Sequence, residues 1–302
     1  MTPYVLGDAD IERLLPPERA LSLIRAAVLD AESGRLTAPP RVSADVGVGR
    51  LTFTAGAIEA EWLGFRSYLA PGDRGEEQLV VVQDLASGRV RSLYAGVDLG
   101  PRRTGAIGGV AVDALVPAGP VDLAVVGAGR QAWEQVRAIA AARIVSRLRV
   151  YSRSPGPAQA LAHRAGTDLG LDAAVTGRAR RAVEGAQVVV LATSASAPVI
   201  ESGWVRGAHL VSTLGPKQRG RHEFPLDLVT GARALVCDSP AQLDAYDPPS
   251  IVGGLPDRER VLSLGAVLRT GIPAGDPTAG PAVFLSVGLA GTEAYLLDAI
   301  TR

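Results

Sequence analysis

Between an apolar run and a helix-length segment stands Val125-Val126-Gly127-Ala128-Gly129-Arg130-Gln131-Ala132, which fits GxGxxA. In that pattern the first glycine permits a tight turn, the second lets the backbone approach a pyrophosphate, and the small third residue lets helix and strand pack closely. The helix that follows offers unpaired N–H groups and the positive end of its dipole to phosphate oxygens. Gly127, Gly129, Arg130, Gln131 and Ala132 are therefore the expected contacts of a dinucleotide. The next strand-like run, RLRVYSRS, chooses between the two nicotinamide cofactors. NAD-selective sites end that strand in a carboxylate for the ribose 2′-hydroxyl, whereas Ser152 and Arg153 offer a hydroxyl and a guanidinium. That pair suits a 2′-phosphate, so NADP(H) is expected in preference to NAD(H).

Of the 31 basic residues 30 are arginine, and Lys217 is the only lysine. A lone lysine in so arginine-rich a chain marks a place where arginine would not serve. Cys237 is the only cysteine and lies in the apolar run ALVCDS, which excludes a disulfide framework within the chain. His163, His209 and His222 show no metal-ligand spacing, so no metal is expected. Acidic residues also number 31, and no block of like charge appears, which argues against nucleic acid or anionic lipid as partner. No run approaches the roughly 20 apolar residues of a membrane span, and the N-terminus lacks a signal-peptide pattern. The expected setting is the cytoplasm, and the expected partner is a small molecule.

The elements that must position these residues follow from periodicity. Residues 16–33 have apolar positions at helical spacing, with proline before and Gly34 after. Strand character marks 50–54, 62–69, 79–84 and 90–95, the last two joined by the turn sequence LASG. An Ala- and Gly-rich helix from about 106 ends at Pro117–Pro120. Beyond it VDLAVVG, RQAWEQVRAIAAAR, RLRVYSRS, AQALAHRAG, AQVVVLATS, AHLVSTLG and RALVCDS alternate strand and helix, the sign of a parallel sheet. After a Gly/Pro-rich stretch at 271–281, the segment 283–300 is apolar with a weakly helical pattern. The reading is an α/β chain: a Rossmann-type doubly wound parallel sheet over 118–282, plus a second, α+β lobe for substrate binding and dimerisation over 1–117 and 283–302.

Several motifs then line up in one order: PPRV at 39–42, GFR at 64–66, RTGA at 103–106, VVGAGRQA at 125–132, LATS at 191–194, LGPKQRGRHEF at 214–224 and VFLSVGLAGTE at 283–293. Together they resemble the ornithine cyclodeaminase and mu-crystallin family over nearly the whole chain. The resemblance implies a homodimer, with substrate held between lobes against the nicotinamide. It implies that Arg41 and Arg103 bind a substrate carboxylate, that Thr104 contacts a cofactor phosphate, and that Thr193 and Ser194 form the turn beside the nicotinamide ribose. Two positions depart from the family pattern. Arg66 stands where the family usually has a lysine, and Lys217 stands where it usually has an aspartate.

Arginine does not exchange protons near neutral pH, so Lys217 becomes the candidate for proton transfer, with Arg66 beside it. An ammonium among Arg41, Arg66 and Arg103 is expected to have a lowered pKa through repulsion and desolvation, and the pocket to favour anionic substrates. The expected function is an NAD(P)H-dependent oxidoreductase acting on a C=N or amino-acid substrate, a ketimine or imine reductase or an amino-acid dehydrogenase. Two alternatives stand beside it: a non-catalytic, crystallin-like NADP-binding protein, and an amino-acid cyclodeaminase.

Overall fold

Period-two alternation between 50 and 96 favours strands, because successive side chains of an extended chain point to opposite faces. In the computed structural model, which describes residues 2–70, 77–254, 256–272 and 280–302, this stretch forms the antiparallel strands Arg50–Ile58, Trp62–Ala70, Gln78–Asp84 and Val90–Gly96. Across the sheet the order is Tyr4–Leu6, Val90–Gly96, Gln78–Asp84, Trp62–Ala70, Arg50–Ile58 and Leu36–Thr37, with Val42–Asp45 also paired to Arg50–Ile58. In the LASG turn, the Asp84 carboxylate accepts 2.8 Å bonds from the N–H and hydroxyl of Ser87. The helix Pro17–Glu32 buries Ala20, Ile24, Ala27 and Val28.

The chain divides into two compact units, residues 1–103 with 288–302 and residues 104–287. In the first, the helix Thr292–Thr301 comes close to the sheet where side chains are missing. A Cβ on Gly64 would stand 2.5 Å from the Cβ of Ala294, and one on Gly56 would stand 2.5 Å from the Cα of Gly291. Trp62 meets Tyr295 edge-on at 6.2 Å between ring centres, and the Tyr295 hydroxyl donates to Asp30 at 2.9 Å.

The second unit contains, among the described residues, eight parallel strands in the order Ala173–Val175, Val145–Tyr151, Val121–Val126, Val188–Leu191, Leu210–Thr213, Gly280–Leu285, Ala232–Cys237 and Val261–Ser263. Their direction of succession reverses between Val121–Val126 and Val188–Leu191, the switch point where doubly wound sheets open a crevice at their carboxyl ends. Val188, Val189, Val190 and Leu191 are all fully buried, as strands covered on both faces must be.

Two sequence expectations need correction. The segment 283–300 is not one helical stretch. Gly280–Leu285 is a strand bonded between Leu210–Thr213 and Ala232–Cys237, and the helix Thr292–Thr301 follows it. A buried parallel strand and a buried helix both read as unbroken apolar runs, so periodicity does not separate them. The unit boundaries likewise fall at 103/104 and 287/288 instead of near 118 and 283. The helix Leu99–Leu115 carries Gly105 and Gly108, where a Cβ would stand 2.4 Å from the Glu134 carbonyl oxygen and 2.0 Å from Gln135 Oε1. That close seating joins most of this helix to the second unit. Residues 273–279, within the Gly/Pro-rich stretch, lie outside the described residues.

Candidate active site

At the switch point, Gly127 follows the strand Val121–Val126 with φ +115°, a conformation glycine adopts without strain. A Cβ there would stand 2.2 Å from the Ala192 carbonyl oxygen, so the turn has no room for a side chain. Gly129 begins the helix Arg130–Ala142 without a side-chain cap, and a Cβ on it would meet nothing within 4 Å. Ala132 is fully buried, Arg130 and Gly129 are exposed, and Gln131 is half-buried with its Oε1 enclosed and lacking a hydrogen-bond partner. An uncapped helix start and a glycine with open space where a side chain would project fit a pyrophosphate. The inward helix face is Trp133, Val136 and Ile139, with Ala140 only half-buried. Ser152 is half-buried and Arg153 exposed, directly after the strand Val145–Tyr151. Thr104, also half-buried, accepts a 2.9 Å bond on its carbonyl from Gln135 Nε2.

Beyond the strand Val188–Leu191, Ser194 is exposed, while Thr193 is turned to a carboxylate that sequence reasoning passed over. Glu223, fully buried, accepts from the Thr193 N–H at 3.0 Å, the Thr193 hydroxyl at 2.7 Å and the Gly215 N–H at 2.5 Å. Lys217 lies in a short hairpin, Lys217–Gln218 against Arg221–His222, and is 1% exposed. Its ammonium donates 2.8 Å bonds to the carbonyls of Gly215 and Ser286. Burial pushes the Glu223 carboxyl above the usual carboxylate range, against the opposing pull of the Lys217 charge and of the bonds from Thr193 and Gly215. The sequence led us to expect cations around Lys217. Within its own unit the ammonium donates to two carbonyl oxygens, and its charge acts on the Glu223 carboxylate.

In the first unit, Arg66 on strand Trp62–Ala70 and Arg103 on helix Leu99–Leu115 converge on one oxygen of Glu293. Arg66 Nη1 donates to Oε1 at 2.6 Å, Arg103 Nε donates to it at 2.9 Å, and Arg103 Nη2 bonds it as well. The close approach at Gly64, two residues before Arg66 on the same strand face, brings the helix carrying Glu293 to this place. Arg103 is fixed from the other side by its helix start, where the Tyr94 hydroxyl accepts from the N–H groups of Asp98 and Leu99 and donates to Asp8. Burial would raise the Glu293 carboxyl, but the Arg103 and Arg66 guanidiniums outweigh it and hold the group below its ordinary range. Arg66 also stacks over Tyr68, 4.0 Å from the ring centre. Its Nε, like Glu293 Oε2, is buried without a hydrogen-bond partner. Arg41 is half-buried, just before the strand Val42–Asp45. Glu293 therefore cancels part of the positive charge that the sequence suggested would dominate here. A lone carboxylate in the apolar run GLAGTEAYLL was its one signal, since such groups are rarely buried unpaired.

Among the described residues, no group of three or more His, Cys, Asp or Glu is arranged to hold a metal, and no helix is long and apolar enough to cross a membrane. Comparison with known proteins gives a consistent pattern. A Delta(1)-pyrroline-2-carboxylate reductase of Bacillus cereus is 29% identical over 161 residues, 53% of this chain; the match spans about half of that relative's length, 49%. The Delta(1)-pyrroline-2-carboxylate/Delta(1)-piperideine-2-carboxylate reductase of Azospirillum brasilense is 28% identical over 296 residues, 95% of this chain and 91% of the relative. The iminosuccinate reductase of Paracoccus denitrificans, solved in complex with NAD+, superimposes with a TM-score of 0.86 at 25% identity, covering 99% of this chain and 95% of that one. The profile of the ornithine cyclodeaminase/mu-crystallin family matches residues 1–300. With its glycine turn at the switch point of a parallel sheet, the chain belongs to the ornithine cyclodeaminase/mu-crystallin family.

Proposed function

We propose that this chain is a cytoplasmic, homodimeric reductase that adds hydride to the C=N carbon of an α-imino acid. The reading rests above all on the Gly127 turn at the switch point, supported by similarity along 95% of the chain to a reductase of two cyclic imino acids. When bound, a nicotinamide dinucleotide supplies the hydride. Gly127, Gly129, Arg130, Gln131 and Ala132 hold its pyrophosphate, with Thr104 on a phosphate oxygen and Thr193 and Ser194 beside the nicotinamide ribose. Ser152 and Arg153 take the 2′-phosphate and so favour NADP(H) over NAD(H). Arg41 and Arg103 orient the substrate carboxylate, and Arg66 holds a second anionic or carbonyl oxygen. An imine protonated on nitrogen accepts hydride at carbon and becomes the amine with no further proton. Turnover therefore does not require the buried Lys217 to release one.

The test is the loss of NADPH absorbance with Δ1-pyrroline-2-carboxylate, Δ1-piperideine-2-carboxylate and iminosuccinate in turn. Reduction of at least one is expected, with no comparable conversion of L-ornithine. Arg153→Ala should raise the KM for NADPH about tenfold and leave that for NADH nearly unchanged. A second reading is favoured by the internal engagement of Arg66 and Lys217, the two positions that depart from the family pattern. On that reading the protein binds dinucleotide without turnover, like the crystallins. It would gain thermal stability from NADPH yet oxidise it with none of the three imines.

A further inference from the structure

We infer that Glu223 and Lys217 are positioning residues that fix the nicotinamide half of the dinucleotide site, and that position 217 carries the only lysine because its cradle admits an ammonium and no larger cation. This rests on the dinucleotide reading given above. In a doubly wound sheet the two halves of a dinucleotide lie on opposite sides of the switch point. Here the adenosine side is formed by Val121–Val126, Val145–Tyr151 and Ala173–Val175, and the nicotinamide side begins with Val188–Leu191 and Leu210–Thr213.

The hydrogen bonds of Glu223 and Lys217 join loops on the nicotinamide side. Glu223 ties Thr193, after Val188–Leu191, to Gly215, after Leu210–Thr213. Lys217 ties Gly215 to Ser286, after Gly280–Leu285. The carboxyl ends of three adjacent strands are thus linked through two buried charges, 0% and 1% exposed. There is little slack in the link. A Cβ on Gly215 would stand 2.2 Å from the Thr193 carbonyl oxygen and 2.4 Å from Glu223 Oε2, and Ala192, one residue before Thr193, abuts Gly127. Movement of the Thr193 loop would therefore change the floor beneath the nicotinamide ribose. Each ion is costly to bury alone, so removing one leaves the other uncompensated. A guanidinium is planar and larger, and its donors diverge, so it cannot replace an ammonium held between two carbonyls.

The experiment is a set of dissociation constants for NADPH, NADH and two adenosine-half fragments, 2′,5′-ADP and AMP. Glu223→Gln and Lys217→Met should each weaken dinucleotide binding about tenfold while fragment binding stays within about twofold. Lys217→Arg should do no better than Lys217→Met. The double variant Glu223→Gln/Lys217→Met should lose less than the product of the single losses, because the pair leaves together. Should Glu223→Gln not fold, Thr193→Val removes one bond of the link and should weaken dinucleotides about threefold, again sparing the fragments. Equal weakening of dinucleotides and fragments, or no weakening of either, would overturn the inference. A wild-type chain that binds fragments and dinucleotides not at all would instead remove the reading of the site on which it rests.

Discussion

One oxygen of Glu293 serves two guanidiniums, and both arginines are held by it. Glu293→Gln would leave Arg66 and Arg103 buried beside a neutral amide, a change that costs about 3 kcal/mol in buried pairs of this kind. The carboxyl binds its proton more weakly in the fold than in the unfolded chain, since Arg103 and Arg66 prevail over burial. Its stabilisation is therefore complete above the unfolded value, about 4.3, and is lost as the pH falls from there through the lower folded value. Melting temperatures measured from neutral pH into that acid range should fall in the wild type, with a shallower acid limb in Glu293→Gln. Parallel limbs would mean that this carboxylate is not the ionised partner of the two arginines. At this scale, the tight turn at Gly127, the helix start after Gly129 and the buried small residue Ala132 were legible because such local geometry depends on spacing within eight consecutive residues. Glu293 was not, because it meets Arg66 and Arg103 across 227 and 190 residues of chain. Lys217 was legible as an exception in composition, but the oxygens around it come from the fold, one of them 69 residues away.

The close packing of the helix Thr292–Thr301 on the strand Trp62–Ala70 depends on hydrogen in place of a side chain at Gly64. An alanine there would bring its Cβ to 2.5 Å from Ala294 Cβ and 2.8 Å from the Val81 carbonyl oxygen. The neighbours are a helix and a strand backbone, which cannot yield cheaply, so Gly64→Ala should destabilise by about 1–3 kcal/mol and carry Glu293 away from Arg66. Chemical denaturation measures the first effect, and a raised KM for whichever of the three proposed imines is reduced measures the second. An unchanged denaturation midpoint would show that the helix yields more readily than its contacts imply. Elements with clear periodicity were readable here, including Pro17–Glu32 and the hairpin closed by Asp84 and Ser87. The strand Gly280–Leu285 was not, because five of its six residues are buried and nothing in them alternates. Tyr4–Leu6, three residues long, is too short for a period to show, and it pairs with Val90–Gly96 from far along the chain.

Across the whole molecule, the α/β class could be read from the alternation of apolar runs and amphipathic segments beyond residue 120. The boundary between units could not, because proline at 117 and 120 marks where a helix ends, whereas unit membership depends on what that helix packs against. Nor does balanced charge, 31 basic against 31 acidic residues, disclose which charges are buried together. The near absence of lysine has one practical result. Throughout the 302 residues, amine-selective acylating reagents find a single side chain to modify, and in the native protein it is shielded, at 1% exposure. N-hydroxysuccinimide esters should leave position 217 untouched in the folded protein and acylate it once the chain opens, as peptide mass spectrometry would show. Prompt labelling under native conditions would mean that this region opens locally. Its protection would provide a covalent record of how often the core of the second unit comes apart.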